Sequence, residues 1–177
     1  MNVIFLDRDG TLIREPFDKR VDTEDKIQLF PDSIEALKYL AENNFAVVII
    51  TNQAGISEGR INNNDFNRIH SKVLDMLKPS GAKILKTFVC PHSSHDACDC
   101  RKPKPKMLLE AAKEFNIDLS KVYMVGDNVS DIEAGIHAGT KTVLVETARS
   151  NKVVAERATY TASNLLDAIK YVIDHHV

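Results

Sequence analysis

The sequence lacks any apolar run longer than six residues. Phe45 to Ile50 is the longest in 177, against the ~20 that a membrane-spanning helix requires. No basic stretch precedes its first apolar segment, Val3 to Leu6, so nothing reads as a signal peptide and a cytoplasmic protein without a membrane partner is expected. Neither sign of charge is in excess. Lys and Arg number 23, Asp and Glu 25, for a formal net charge of −2, which leaves no general field to attract nucleic acid or anionic lipid. Cysteine is scarce: three residues, an odd number, all within positions 90–100. A secreted disulfide framework would use an even number spread along the chain. Repeats, low-complexity tracts and linkers are also missing.

What is present is 44% hydrophobic and 27% charged residues, a composition that excludes intrinsic disorder and fibrous proteins. The length fits one domain over 1–177, large enough to bury roughly 70% of its unfolded surface. Short apolar runs alternate with helical patterns. Met1 to Leu6, Phe45 to Ile50, Lys86 to Val89, Val122 to Val125 and Thr142 to Val145 read as five strands. Between them lie helices: one opened by Pro31 at its first turn and Asp32, one over Phe66 to Leu77, one over Met107 to Phe115, and one over Ile132 to Ala138. Leu165 to Ile173 reads as a closing helix. This alternation predicts an α/β fold, a Rossmann-like three-layer sandwich with a central parallel sheet. In such folds ligands bind at the carboxyl ends of the strands. The residues just beyond each strand are therefore the ones to read for chemistry.

They are polar. Asp7-Arg8-Asp9-Gly10-Thr11 follows the first strand, and two carboxylates one residue apart can face one cleft where a glycine allows the turn. Asp-Gly is also a common turn pair. Thr51-Asn52-Gln53 follows the second strand and offers a hydroxyl and amides to a phosphoryl oxygen, or equally a helix cap. Arg101-Lys102-Pro103-Lys104-Pro105 precedes the third helix; its cations suit an anionic cleft or plain solvent. Gly126-Asp127-Asn128-Val129-Ser130-Asp131 follows the fourth strand with two acids four residues apart, suited to a hard divalent cation, with an N-cap role for Asp131 as the plainer alternative.

Taken together at successive strand ends, Asp7-Arg8-Asp9-Gly10-Thr11, Thr51-Asn52, Lys102 and Gly126-Asp127 with Asp131 resemble the signatures of the haloacid dehalogenase superfamily of phosphohydrolases. The resemblance implies a Mg²⁺-dependent phosphatase working through an aspartyl-phosphate. Asp7 would be the nucleophile and Asp9 the general acid and base. Mg²⁺ would be held by the Asp7 side chain, the Asp9 backbone carbonyl and Asp127, with Asp131 in support. Thr51, Asn52 and Lys102 would hold the phosphoryl oxygens. Arg8, Gln53, Ala54 and Asn128 would border the substrate. Arg101 would grip the rest of it, a second phosphate included.

Cys90-Pro91-His92 and Cys98-Asp99-Cys100 form a C-x-H-x₅-C-x-C array. Three thiolates and an imidazole suit a closed, structural Zn²⁺ site over loop 90–100, with His95 as a competing ligand to His92. The loop, with Arg101-Lys102-Pro103, is similar to the branch of the superfamily that contains the heptose-1,7-bisphosphate 7-phosphatases and the histidinol-phosphate phosphatases. Two departures stand out: Lys106 replaces a glycine usual in the heptose enzymes, and Asn128 a lysine found in some. Glu15-Pro16 with Val21-Asp22 and Asp25-Lys26 leans toward the histidinol-phosphate enzymes.

The expected function is removal of the 7-phosphate from the heptose bisphosphate. Histidinol-phosphate phosphatase is the alternative, and a phosphotransferase or a non-catalytic zinc-stabilised interaction module are readings of another class. The gaps between motifs are too short for a large cap domain, and the small capless relatives suggest a monomer acting on a small phosphorylated sugar. His70 and His137 fall on helices. The pair His175-His176 reads as solvated, and Arg149, Lys152 and Arg157 as a solvated face.

Overall fold

Six strands form one sheet in which every neighbouring pair is parallel: β1 (Asn2–Leu6), β2 (Phe45–Asn52), β3 (Lys83–Cys90), β4 (Tyr123–Gly126), β5 (Lys141–Val145) and β6 (Tyr160–Ala162). The structure, a computed structural model, describes residues 2–16, 18, 20–147 and 152–176. Spatial order is β3-β2-β1-β4-β5-β6. The chain winds outward from β1 to β3 and then returns to the other side of β1 at β4. The crevice between the carboxyl ends of β1 and β4 is thus the topological switch point, where such sheets bind ligands.

Period-two alternation divides the sheet's side chains between two cores. Ile4, Leu6, Val47 and Ile49 face one side with α1 (Ser33–Glu42), α2 (Asn63–Leu77) and α6 (Leu165–Asp174). Val3, Phe5, Val48 and Ile50 face the other with α3 (Lys106–Phe115) and α4 (Val129–Ala138). Both faces being covered explains why β1 and β2 are continuous apolar runs rather than alternating ones. The three-layer α/β sandwich read from the sequence is the observed fold. Among the described residues, the β1–α1 connection holds only a one-turn 3₁₀ segment (Glu24–Lys26), so no large cap covers the crevice.

Several boundaries differ from the sequence reading. The sixth strand and α5 (Lys152–Arg157) were not expected. β6 has three residues and only Ala162 is fully buried, too little for an apolar signal. β3 begins three residues earlier than its apolar run, because Lys83 and Lys86 lie on the open edge of the sheet. Strand β2 runs on through Thr51 and Asn52. Pro31 lies outside α1, before its N-cap Asp32. The Asp32 carboxylate makes no cap bond there and instead accepts the Leu166 N–H at 2.9 Å, closing the start of α6.

His70 bonds Thr87 Oγ1 at 2.8 Å from α2, and His137 on α4 faces the Pro103 carbonyl at 3.0 Å. His176 is not solvated as expected: its ring meets Phe45 edge-on, 4.9 Å between centroids, while exposed His175 stacks on Tyr171. Arg157 pairs with Glu133. Arg149 and the Lys152 side chain lie outside the described residues.

Candidate active site

Asp7 is the first residue past β1, and its N–H donates to the Val125 carbonyl of β4 at 2.9 Å. Asp127 is the first residue past β4. Adjacent strands thereby deliver two carboxylates, 120 positions apart in sequence, to one point. Gly10 makes room for them. Its φ is +95°, and a Cβ there would lie 2.4 Å from Asp127 Oδ2, so position 10 admits glycine alone.

Helix α4 sets the third acid. Asn128 is its N-cap, with Oδ1 accepting the Ser130 N–H, and Asp131 at N3 accepts the Asn128 N–H through Oδ2 at 3.0 Å. Asp131 is therefore the acidic half of a capping box, not the N-cap. Its other oxygen, Oδ1, lies 2.6 Å from Lys102 Nζ.

Lys102 joins the cluster. It is 3% exposed, and its ammonium meets Asp7 Oδ1 at 2.6 Å, Asp131 Oδ1 at 2.6 Å and the Ile50 carbonyl at 2.7 Å. Three acceptors match its three protons. Asn52 fixes the lysine's backbone in both directions: Lys102 N–H donates to Asn52 Oδ1 and Asn52 Nδ2 donates to the Lys102 carbonyl, each at 3.1 Å. The Asn52 side chain thus positions Lys102, and Asn52 also lines the cleft.

Asp9 is held separately. Arg8 grips both its oxygens, Nε to Oδ2 at 2.9 Å and Nη2 to Oδ1 at 3.1 Å, and Gln53 Nε2 donates to Oδ2 at 2.6 Å. Gln53 also donates to Thr51 Oγ1 at 2.8 Å, and that hydroxyl lies 3.5 Å from Asp9. The Arg8 side chain is fully buried behind Asp9 and against the Phe66 ring. It walls neither cavity described below, so direct substrate contact by this side chain, expected from the sequence, gives way to a grip on Asp9. The cause is alternation along the strand exit, which sends residue 8 to the side opposite residues 7 and 9.

Three buried carboxylates face one ammonium, and their protonation reflects it. Burial pushes Asp7 up to about 7, helped by the charge of Asp131 and opposed by Lys102. Burial, then Asp7 and Asp131, raise Asp127 to about 8. Burial alone would lower Lys102, but Asp131 and Asp7 outweigh it and raise its pKa. Carboxylate oxygens of Asp7, Asp127 and Asp131 lie within 4.8 Å of one another. An anionic surplus of hard oxygen donors is what Mg²⁺ takes, so the residues fit that ion. Both Asp131 oxygens are already engaged, which leaves Asp7 and Asp127 as the freer donors and Asp131 as the anchor of Lys102.

The second donor set lies in the loop after β3. His92 Nδ1 is 3.6 Å from Cys90 Sγ and 3.3 Å from Cys100 Sγ, and Cys90 Sγ is 3.9 Å from Cys98 Sγ. Four donors at these spacings fit a tetrahedral Zn²⁺ with no open position. His95 is exposed and outside the group, so the imidazole is that of His92. Without a metal, burial and the neighbouring Cys100 thiol push Cys90 up to about 12.

The loop is tied to the crevice at two points: Arg101 Nη1 donates to the His92 carbonyl at 2.9 Å, and Gln53 N–H to the Cys90 carbonyl at 2.7 Å. The crevice itself is walled by Asp7, Asp9, Thr51, Lys102, Asp127 and, at its rim, Asn128. A second cavity adjoins it across Asp9, Asn52 and Arg101 and is lined further by Gln53, Ala54 and Arg20. Arg20 was missed in the sequence, where a lone loop arginine carries no signal. So was Thr147, whose hydroxyl lies 3.4 Å from Asp127 Oδ2.

A doubly wound sheet with buried acids and a lysine at its switch point defines a Rossmann-like α/β hydrolase with an acidic centre. Residues 14–139, more than half of the sequence, match the model of the haloacid dehalogenase-like hydrolases. The chain belongs to that family. It is 39% identical over 174 residues to the D-glycero-β-D-manno-heptose-1,7-bisphosphate 7-phosphatase of Pasteurella multocida, covering 94% of this chain and 91% of that one. It is 36% identical over 140 residues to the histidine biosynthesis bifunctional protein HisB of Campylobacter jejuni, covering 78% of this chain but only 40% of that protein. The fold superposes on the D,D-heptose 1,7-bisphosphate phosphatase of B. bronchiseptica, solved with magnesium and phosphate. The TM-score is 0.91, at 31% identity and with 98% and 99% of the two chains covered.

Proposed function

We propose that this chain is a Mg²⁺-dependent phosphohydrolase that removes the 7-phosphate of D-glycero-D-manno-heptose 1,7-bisphosphate, with a single domain over 1–177 carrying all the chemistry. The observation that supports it most is Lys102, buried and bonded at once to Asp7 and Asp131 beside Asp127. This cluster serves a charged phosphoryl group and has no use in a purely structural crevice. A relative of nearly equal length with that activity, 39% identical, favours the heptose ester.

In this reading an Asp7 oxygen attacks phosphorus while the bond from phosphorus to the sugar oxygen breaks. Asp9 gives its proton to that leaving oxygen. Asp9 then takes a proton from water, whose oxygen attacks the aspartyl-phosphate and frees phosphate and the Asp7 carboxylate. Arg8 and Gln53 hold Asp9 on the leaving-group side. Lys102 and Thr51 steady the phosphoryl oxygens. Mg²⁺, held by Asp7, Asp127 and the Asp9 carbonyl, would supply the positive charge that offsets repulsion between nucleophile and substrate. Zn²⁺ at Cys90, His92, Cys98 and Cys100 would fold the loop that carries Arg101.

Replacing Asp7 by Asn tests the core of the proposal. Phosphate release should fall at least about 10³-fold with the fold intact; residual turnover near wild type would overturn the nucleophile assignment. Histidinol phosphate is the second reading, favoured by the HisB relative and the Glu15-Pro16 segment. Comparing kcat/KM on the two esters decides between them.

A further inference from the structure

We infer that Gln53 is a positioning residue that selects which oxygen of Asp9 carries the catalytic proton: it closes Oδ2 and leaves Oδ1 to protonate the leaving group. The inference rests on the phosphohydrolase reading and deepens it to the level of one atom.

A carboxylate offers two lone pairs on each oxygen. Arg8 takes one from each, with Nε reaching Oδ2 at 2.9 Å and Nη2 reaching Oδ1 at 3.1 Å. Gln53 Nε2 takes the second lone pair of Oδ2 at 2.6 Å, and the Thr51 hydroxyl crowds that same oxygen at 3.5 Å. Among the described residues no second donor reaches Oδ1. The one open site on the carboxyl group is therefore on Oδ1. Asp9 remains accessible there, since its side chain is 18% exposed and lines both the crevice and the adjoining cavity. A general acid must meet the leaving oxygen directly, so the proton it gives is the one on Oδ1.

Gln53 is held firmly enough to enforce that choice. The residue is 9% exposed, and its backbone N–H donates to the Cys90 carbonyl at the end of β3. Both protons of its amide are in use, one on Asp9 Oδ2 and one on Thr51 Oγ1 at 2.8 Å. The amide cannot turn over, because its oxygen would then face a carboxylate oxygen at 2.6 Å with no proton between them. Without this donor, Oδ2 would compete for the proton. A misplacement of about 1 Å can cost on the order of 10²-fold in rate, and the two oxygens of a carboxyl group lie farther apart than that.

The experiment compares wild type, Gln53→Met and Gln53→Glu on two esters. The sugar oxygen of heptose 1,7-bisphosphate leaves only with a proton, whereas the phenolate of p-nitrophenyl phosphate leaves without one. Gln53→Met keeps the length and loses the donor. It should lower kcat on the sugar ester at least about tenfold with little change in KM. The nitrophenolate burst, which reports attack by Asp7 alone, should slow by no more than about threefold. Gln53→Glu should be as impaired as Gln53→Met at pH 8. At pH 5.5 it should recover at least about fivefold relative to wild type, because its carboxyl group then has a proton to donate to Oδ2. Near-wild-type turnover of the sugar ester by Gln53→Met, equal losses on both esters, a loss confined to KM, or a Gln53→Glu variant equally impaired at both pH values would overturn the inference. In each of those cases a wild type active on the sugar ester leaves the phosphohydrolase reading standing. A wild type that releases phosphate from neither ester defeats that reading itself.

Discussion

The two donor clusters at the carboxyl edge of the sheet are built in opposite ways. The acidic one draws on residues 7, 102, 127 and 131, which only the completed sheet brings together, and it is buried. The Cys/His one spans eleven positions, is mostly half-buried, and closes on itself after a single strand end. The first owes its existence to the fold and strains it with surplus negative charge. The second contributes to the fold and has little apolar material of its own to hold it. Removing a charge and removing a Cys/His donor should therefore act by different routes: the first upsets the charge balance of the acidic cluster, the second the proposed zinc site that would fold the loop.

Lys102→Met should have the largest effect. It strands Asp7 and Asp131 as buried anions with no counter-charge, costing about 3–5 kcal/mol of stability as well as activity. Urea unfolding should show a smaller loss at pH 5.5 than at pH 8, because Asp7, held up to about 7 by burial, takes up a proton. An equal loss at both pH values would remove the charge argument.

Cys98→Ser, or zinc removal by a strong chelator, should lower the melting temperature by about 5–10 °C. It should raise KM more than it lowers kcat, since Arg101 loses its hold while Asp7 and Asp127 keep theirs. A kcat collapse with KM unchanged would mean that the loop and the crevice are not separate in the way described.

The smallest effect is in pH and magnesium. Asp7 and Asp127 are held up to about 7 and 8 in the folded protein, above the ordinary carboxylate value. Their contribution to metal-free stability is then complete below about pH 4 and lost as pH rises through 7 to 8. Melting curves without added Mg²⁺ should fall by a few degrees from pH 6 to pH 8.5, and Mg²⁺ should restore most of that fall. A flat profile without Mg²⁺ would show that the acids are neutralised by something other than protons.

Legibility from sequence followed the same divide. β1 and β2 were readable because strands buried on both faces are unbroken apolar runs, and the Cys/His cluster because its spacing is local. Edge strands were read less well: the start of β3 was missed because lysines interrupt its pattern, and β6, with one buried residue, was missed altogether. Asp7 and Asp127 were identifiable by their positions after strands, and Lys102 by the resemblance of the motifs taken together. The roles of their neighbours were not. Arg8 stands between two cleft residues in sequence but its side chain points elsewhere, since adjacent side chains at a strand end leave on opposite sides, and the Asn52 contact with the Lys102 backbone joins segments far apart in sequence. Arg20 follows no periodicity, and only the folded cavity gives it meaning.

The paired contact between Asn52 and the Lys102 backbone has a consequence of its own. A primary amide offers N–H and C=O side by side, as a peptide group does, so the sheet gains one extra rung made from a side chain. The residue that bears the ammonium arrives on a loop but is located with the accuracy of a strand. Carboxylate at position 52 would keep the shape and reverse half of the pairing, which makes this amide nitrogen the hinge on which the lysine's reach to Asp7 turns.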